Sequence, residues 1–373
     1  MKTVGILTRH VYPNYGSLLQ GHALVNALTS AGARASIIDY FPLTDRPFRL
    51  ATSRLRESRM RTSVTKRAAY LAIQTPNMAN MSTRFRKFQH RHLPLTRMCA
   101  DDLGVAEIID GLDIALTGSD QIWNSIHGDL DPVYFLANQR NENKFSYAAS
   151  FGSGSPSLED KGRVHSWLRE FREVSVRESS AQTALASIGI PSRVDVDPVL
   201  LHDNAFWNSF ADAQPATAGR YILVYQLHNT PDFNRRLKVI SDRHKLPIRR
   251  ITPDAKMYLA HRASDYLVEP RRFVSLFRDA DIVVTDSFHG TAFSLVFGKP
   301  LYALLPQENS TRNTDLLTSV GLDHLASAPD QAPVENPDYD AVAVTNLLRS
   351  YADDSWRYLR ALLGEDDASC ETR

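Results

Sequence analysis

A histidine stands where a predicted strand passes into a predicted helix. Residues 281–285 indicate a buried apolar strand, a polar turn follows, and a short helix opens at His289 and ends at Gly298. Proteins of the α/β class bind ligands at this place, where a strand ends and a helix begins, and the open N–H groups of the helix favour an anion. The pattern indicates acid–base chemistry beside an anion pocket. A purely structural histidine stays open as the alternative, because Asp286 or Ser287 could be the N-cap of the helix.

A carboxylate follows a second predicted strand. Asp120 comes after residues 114–117, in the segment Gly118-Ser-Asp-Gln-Ile-Trp-Asn124. Gly118 would let a ligand approach the backbone closely, and Asp120 is a candidate general base for a hydroxyl group. The alternative is an ordinary helix N-cap at this position. Candidates for contact with the acceptor, the molecule that carries this hydroxyl group, are Asn14, Gln20, Gln121 and Trp123. Trp123 could stack on a sugar, or it could be a core residue.

A guanidinium group ends a third predicted strand, residues 174–176. Arg177 suits a carboxylate or phosphate, since its planar fork presents paired donors. The alternative is an exposed arginine that pairs with Glu173 or Glu178.

Strands and helices alternate along most of the chain. The opening is a βαβ unit without a Gly-x-Gly-x-x-Gly motif, which argues against a dinucleotide cofactor. Further strands and helices predict a parallel sheet with helices on both faces, and a second alternation begins at Tyr221 after a polar segment, 203–219, that we interpret as a linker. We therefore predict two Rossmann-like domains, 1–205 and 220–373, the second with the C-terminal helices and an acidic tail.

Composition favours an ordinary globular protein. The chain has 373 residues and a net charge of +1, so nothing overall suggests binding to nucleic acid. Two distant cysteines, Cys99 and Cys370, form neither a disulfide framework nor a metal motif. The sequence shows neither a signal peptide nor a run long enough to span a membrane. These features predict a cytoplasmic protein.

One segment is strongly basic. Residues 46–91 contain twelve Lys or Arg and one acid, Glu57, with apolar residues between them. The simpler interpretation is an insertion helix with a solvated basic face. The alternative is a peripheral contact with an anionic membrane at its inner face, or with a lipid-pyrophosphate acceptor.

Five segments together resemble the polysaccharide pyruvyl transferase family. They occur in the family's order: Asn14-Tyr-Gly-Ser-Leu-Leu-Gln20, Gly118–Asn124, Ser175-Val-Arg-Glu178, Asp195-Val-Asp-Pro198 and Asp286-Ser-Phe-His-Gly-Thr291. The similarity covers roughly residues 3 to 322, and its most specific parts are the second and fifth segments.

The resemblance implies an α/β fold of two Rossmann-like domains that face a cleft, as in glycosyltransferase B. It implies phosphoenolpyruvate as co-substrate, no other cofactor and no metal, with His289 as the acid that protonates the donor. A carboxylate across the cleft from His289 could act as the base, and Asp120 is our candidate. Arg177 matches the donor-binding arginine of the family, and Arg312 lies where relatives have a basic residue. The remaining donor contacts implied by the resemblance are Ser287, Phe288, Gly290 and Thr291.

Three functions follow as alternatives. The first is transfer of pyruvate from phosphoenolpyruvate to a hexose of a glycan, free or lipid-linked, which forms a cyclic ketal. The second is a glycosyltransferase that uses a nucleotide sugar, because fold does not fix function. The third is a non-catalytic sugar-binding protein.

Overall fold

The computed structural model describes residues 1–57, 62–124, 130–152, 158–215, 219–254, 257–259, 265–306 and 310–364. The chain forms two compact units. The first comprises Met1–Arg177, Ala181–Val194 and the chain from Leu359 onward, and the second comprises Glu178–Ser180 and Asp195–Tyr358. Within the segment interpreted as a linker, residues 204–210 form a helix of the second unit, and Trp207 of that helix is completely buried.

The first unit is built on a parallel sheet with the order β2-β1-β3-β4. Isolated parallel bridges from Phe145 to Glu173 and from Ala149 to Val176 continue the ladder toward β5, which pairs with β6. The strands are β1 (Thr3–Leu7), β2 (Arg34–Ile37), β3 (Ile114–Thr117), β4 (Lys144–Ser146), β5 (Ser175–Val176) and β6 (Arg193–Val194). The helices are α1 (Tyr15–Ser30), α2 (Pro47–Glu57), α3 (Val64–His92), α4 (Asp102–Ile109), α5 (Leu158–Leu168) and α6 (Ser179–Ala186).

Local signals fix where the first helix begins and where the third strand ends. Asn14 is the N-cap of α1, and its side-chain oxygen accepts hydrogen bonds from the N–H groups of Gly16 (2.8 Å) and Ser17 (3.4 Å). Gly118 follows β3 at a tight approach, because an added Cβ there would lie 3.0 Å from Ile6 Cγ2. A hydrogen bond from Ser17 Oγ to Asp120 Oδ2 joins the start of α1 to the segment that follows β3.

The second unit contains a six-stranded parallel sheet with the order β12-β11-β10-β7-β8-β9. This is the doubly wound order of a Rossmann fold, in which the chain reverses direction across the sheet between β7 and β10. The strands are β7 (Ile222–Tyr225), β8 (Ile248–Thr252), β9 (Asp265–Tyr266), β10 (Ile282–Thr285), β11 (Leu301–Leu304) and β12 (Ala326–Ser327). The helices are α7 (Asn204–Phe210), α8 (Pro231–His244), α9 (Pro270–Arg278), α10 (Phe288–Val296), α11 (Thr311–Ser319) and α12 (Ala341–Leu362), of which the last turn, from Leu359, is counted with the first unit.

The basic segment forms α2 and α3, and part of it belongs to the core. Arg86 of α3 donates to both carboxylate oxygens of Asp39, at 2.6 and 2.8 Å, and buried His10 contacts the same carboxylate at 3.0 Å. Burial of Asp39 opposes its ionisation, but the bonds from His10 and Arg86 outweigh it and hold the pKa below the usual range. Arg86 is therefore structural.

Other parts of this segment are exposed. The side chains of Lys66 and Arg67, in the first turn of α3, lie at the surface, and none of residues 64–73 is fully buried. Arg59 and Arg61 lie outside the described residues. Within the described part of the chain, no helix combines the length and the apolar character needed to cross a bilayer.

Candidate active site

The turn from β10 to α10 presents the candidate acid. Ser287 is the N-cap of α10, and its hydroxyl accepts a hydrogen bond from Gly290 N–H at 3.4 Å. His289 is the second residue of the helix, so its position at the helix start agrees with the position predicted from the sequence. The open N–H groups of this first turn and the helix dipole favour a negative charge nearby.

The imidazole of His289 lies against a carboxylate in a nearly closed environment. Only 8% of its side chain is exposed, and Nε2 lies 3.6 Å from Oδ2 of Asp197. No described residue makes a hydrogen bond with that nitrogen. Asp197 is itself fixed, because its Oδ1 accepts from Val199 N–H at 3.0 Å. A buried nitrogen without such a bond beside an anchored carboxylate is costly unless a ligand or a proton transfer uses it.

The predicted donor residues divide into two kinds. Gly290 and Thr291 position the helix: Gly290 packs on Thr285, and Thr291 Oγ1 donates to Asn313 Oδ1 of α11 at 2.8 Å. Phe288 and Arg312 lie together, since the Arg312 guanidinium carbon is 5.8 Å from the centre of the Phe288 ring. The structure thus brings Ser287, Phe288, His289 and Arg312 into one neighbourhood.

A second histidine lies at the ends of strands β7 and β10, and it is absent from our sequence-based candidates. The Asp286 carboxylate accepts from the N–H groups of Leu227 (2.7 Å) and His228 (2.8 Å) and lies 3.1 Å from His228 Nδ1. The hydrogen bond to Asp286 raises the pKa of His228. Gln226-Leu-His228 directly follows the central strand β7, and that position was the available signal, because the reversal point of such a sheet is where ligands bind.

Asp120 lies in the first unit, between a hydroxyl group and a cation. Ser17 Oγ donates to Asp120 Oδ2, and Nη2 of Arg177 lies 3.8 Å from Asp120 Oδ1. The Asp120 backbone has φ of +80°, which is uncommon for a residue other than glycine and is concentrated at functional sites. Arg177 is almost fully buried, with 2% of its side chain exposed. The alternative interpretation of Arg177 as an exposed arginine is therefore wrong, because its guanidinium group lies near a carboxylate inside the unit.

The predicted acceptor residues lie mainly in structural positions. Asn14 is the cap of α1, and fully buried Gln20 donates to Thr8 Oγ1 and Ser17 O, both at 2.8 Å. Gln121 Oε1 accepts from Asn124 at 3.0 Å and is partly exposed.

The structure corrects the role given to Trp123. The residue is completely buried, its indole N–H donates to Tyr134 O at 3.0 Å, and its ring stacks on Phe135 at 5.1 Å. With its rings inside the core, Trp123 cannot stack on an acceptor sugar in this arrangement. Its place in the motif is explained by packing.

Comparison with a family model places the chain. The model described as polysaccharide pyruvyl transferase matches residues 14–308, and this range contains every candidate except Arg312. The chain belongs to the polysaccharide pyruvyl transferase family. Membership indicates polysaccharide pyruvyl transferase activity in general terms. A search of curated proteins found no match.

Solved structures resemble the chain over almost its whole length. The UDP-N-acetylglucosamine 2-epimerase from Rickettsia bellii is 11% identical, with a TM-score of 0.53, and the match covers 98% of this chain and 96% of that one. The S. aureus MnaA-UDP co-structure is also 11% identical, with a TM-score of 0.50 and coverage of 98% and 91%. Similarity at this identity shows the fold alone. It confirms the predicted α/β class with two Rossmann-like domains of the glycosyltransferase B type.

Proposed function

We propose that this family member transfers pyruvate from phosphoenolpyruvate to a hexose of a glycan and forms a cyclic ketal. Protonation of the donor's methylene carbon C3 makes C2 electrophilic. One sugar hydroxyl adds to C2 and loses its proton, the C2–O bond to phosphate breaks, and a neighbouring hydroxyl closes the ring with loss of its own proton. The products are the ketal and inorganic phosphate.

The environment of His289 is the observation that carries the proposal. A proton donor to carbon needs a pKa near the working pH, as imidazole ordinarily has. His289 adds a buried position, an Nε2 that makes no hydrogen bond with described residues, and the fixed Asp197 carboxylate 3.6 Å away. That carboxylate lies on the Nε2 side of the ring and can hold the imidazole in place for the transfer. The first turn of α10 and Arg312 supply the positive potential that an anionic donor needs.

The first unit supplies the other assignments. We assign Asp120 as the base that accepts the proton of the attacking hydroxyl, because Ser17 and Arg177 orient its carboxylate. Arg177 is assigned to the donor's carboxylate or phosphate. When the donor binds, Arg177 would give up part of its contact with the Asp120 carboxylate and contact the donor instead.

A donor screen tests the proposal. The protein is incubated with glycan acceptors and either phosphoenolpyruvate or nucleotide sugars, and the release of phosphate or nucleotide is measured. Of the donors tested, we expect only phosphoenolpyruvate to react, with a release of phosphate that depends on the acceptor. Nucleotide release from a nucleotide sugar would instead support a glycosyltransferase, and sugar binding without either product would support a binding protein.

Variants of His289 test the mechanism. His289→Ala and His289→Gln should lose transfer, because neither alanine nor glutamine can donate a proton at a useful pKa. Their Tm should stay close to that of the wild type. The matched control is His324→Gln, which changes an exposed histidine of the same unit and should leave turnover intact. Near-normal turnover in His289→Gln would remove His289 from the mechanism.

A further inference from the structure

We propose that His228, oriented by Asp286, is a further binding residue for the donor and contacts its phosphate group as a cation. This inference rests on the proposed use of phosphoenolpyruvate and adds a residue and a pH dependence to that site. It follows from the position of His228 in the sheet, the hydrogen bonds of Asp286, and the charges that face the imidazole.

His228 lies at the reversal point of the second sheet. It follows β7, the strand that pairs with β10 in the centre of the sheet, and Asp286 directly follows β10. The carboxyl ends of these two strands form the crevice in which Rossmann folds bind ligands. His289 lies three residues after Asp286, so the second imidazole belongs to the same edge of the same unit.

Asp286 holds the imidazole in one orientation. Its carboxylate is anchored by the N–H groups of Leu227 and His228, at 2.7 and 2.8 Å, and faces Nδ1 of the His228 ring at 3.1 Å. The opposite ring nitrogen, Nε2, makes no hydrogen bond with the described part of the chain, and 45% of the side chain is exposed. A ring that donates through Nδ1 to a carboxylate has Nε2 available for a ligand.

The charges around His228 favour an anion as that ligand. Asp286 contacts the imidazole directly, Arg312 is near enough to act on its pKa, and Asp286 in turn acts on the pKa of buried Arg250. Asp286 raises the pKa of His228 and Arg312 lowers it, with a net increase. An imidazolium beside an arginine repels it unless an anion lies between them. With His289 proposed as the acid for C3, the exposed Nε2 side of His228 is suited to contact the phosphate group.

Binding at different pH values tests this role. The Kd of phosphoenolpyruvate is measured by calorimetry from pH 5.5 to 8.5 for wild type, His228→Gln and His228→Arg. At pH 6 we expect His228→Gln to bind about tenfold more weakly, the size expected for one lost charge-assisted hydrogen bond. The two proteins should converge at high pH, where the wild-type imidazole is neutral. His228→Arg should bind tightly throughout.

Two further ligands separate the possible contacts. Phosphate has its own ionisation near pH 6, so inorganic sulfate, which keeps its charge over this range, isolates the titration of the protein. Pyruvate has the carboxylate without the phosphate. His228→Gln should weaken the binding of sulfate and phosphoenolpyruvate but not that of pyruvate. Asp286→Asn should move the loss of sulfate binding to lower pH, because the amide does not stabilise the imidazolium.

The outcomes distinguish this inference from the function on which it rests. If wild type binds phosphoenolpyruvate and His228→Gln binds it equally well at every pH, His228 is outside the donor site and the proposed function stands. If wild type does not bind phosphoenolpyruvate, both proposals fail. His324→Gln controls for the loss of a histidine, and an unchanged Tm of His228→Arg shows that the fold tolerates replacement at this position.

Discussion

Replacing Gly290 by alanine is expected to displace the first turn of α10 from strand β10. An added Cβ would lie 2.2 Å from Thr285 Oγ1 and 2.9 Å from Thr285 Cβ. Thr285 cannot readily turn away, because its hydroxyl donates to Tyr225 O at 2.6 Å and accepts from Ser287 N–H at 3.0 Å. The helix must therefore move, and His289 is the neighbouring residue.

The size of the effect differs between stability and activity. Overpacking of a core costs about 1–3 kcal/mol, and replacing a helical glycine by alanine returns about 0.5–1 kcal/mol. The net loss of roughly 0–2.5 kcal/mol lowers the Tm by at most about 10 °C, at about 2–4 °C per kcal/mol for a unit of this size. A displacement of about 1 Å at a catalytic group can cost about 100-fold in rate. Activity should therefore fall much further than stability.

Thermal denaturation and phosphate release measure the two effects. Gly162→Ala is the matched control, since Gly162 lies in α5 and a Cβ there would meet no atom within 4 Å. It should keep full activity and an equal or higher Tm. The double variant Gly290→Ala/Thr285→Ala removes Oγ1 and Cγ2, two of the three Thr285 atoms nearest to the new methyl group, and should recover part of the activity of Gly290→Ala. If Gly290→Ala retains wild-type turnover and Tm, the close packing of α10 on β10 does not control the site.

Three further outcomes are expected. Asp39→Asn should lower the Tm at pH 7, and the difference in Tm from wild type should shrink as the pH falls below about 4. The reason is that the lowered pKa of Asp39 stabilises the fold at pH values above the carboxyl pKa of the unfolded chain, and this stability is lost in acid. Thermal denaturation between pH 3 and 7 measures the difference. Phosphoenolpyruvate should raise the wild-type Tm, with a much smaller rise in Arg177→Ala and a somewhat smaller one in Arg312→Ala; an unchanged rise in Arg177→Ala would place the donor elsewhere. Wild type should sediment with anionic liposomes at low salt, less so in Lys66→Ser/Arg67→Ser; protein left in the supernatant would show only a solvated basic face.

The strands β1, β3, β7, β10 and β11 could be predicted from the sequence because each is a short apolar run bounded by polar or small residues. The two-residue strands β9 and β12 contain no such run. The prediction for β3, residues 114–117, agrees with the structure at both ends. Helix α10 begins one residue before His289, within the usual uncertainty of helix ends. Periodicity and caps are local properties, so these elements were readable without knowledge of the packing.

The basic segment shows where local reading failed. Composition suggested a solvated face, yet Arg86 lies against Asp39, which is 47 residues away in the sequence. His10 completes this buried group, and Gln89 Nε2 donates to His10 O at 2.5 Å. Charge counts give the average of a segment and cannot show which cation meets a distant carboxylate. The predicted sugar contact of Trp123 was wrong for a related reason, because the burial of this side chain depends on its contacts with Phe135 and Tyr134.

Three aspartates that follow strands illustrate why position alone does not assign a role. Asp120 follows β3, Asp197 follows β6 and Asp286 follows β10, so the sequence presents them alike. Their hydrogen bonds differ. Asp120 accepts a hydrogen bond from a hydroxyl group of α1. Asp197 caps the 3-10 turn Pro198–Leu201 and lies near the His289 imidazole. Asp286 accepts hydrogen bonds from two backbone N–H groups that follow β7.

These different bonds determine what each carboxylate can do. The base role that we propose for Asp120 is consistent with its carboxylate lying between the Ser17 hydroxyl and the Arg177 guanidinium. Asp286, anchored on both oxygens, acts through the imidazole that it orients. Asp197 uses one oxygen for Val199 N–H and presents the other to His289. The bonds from Ser17 to Asp120 and from Leu227 to Asp286 span 103 and 59 residues, so the choice between base, orienting group and acid partner depends on tertiary structure.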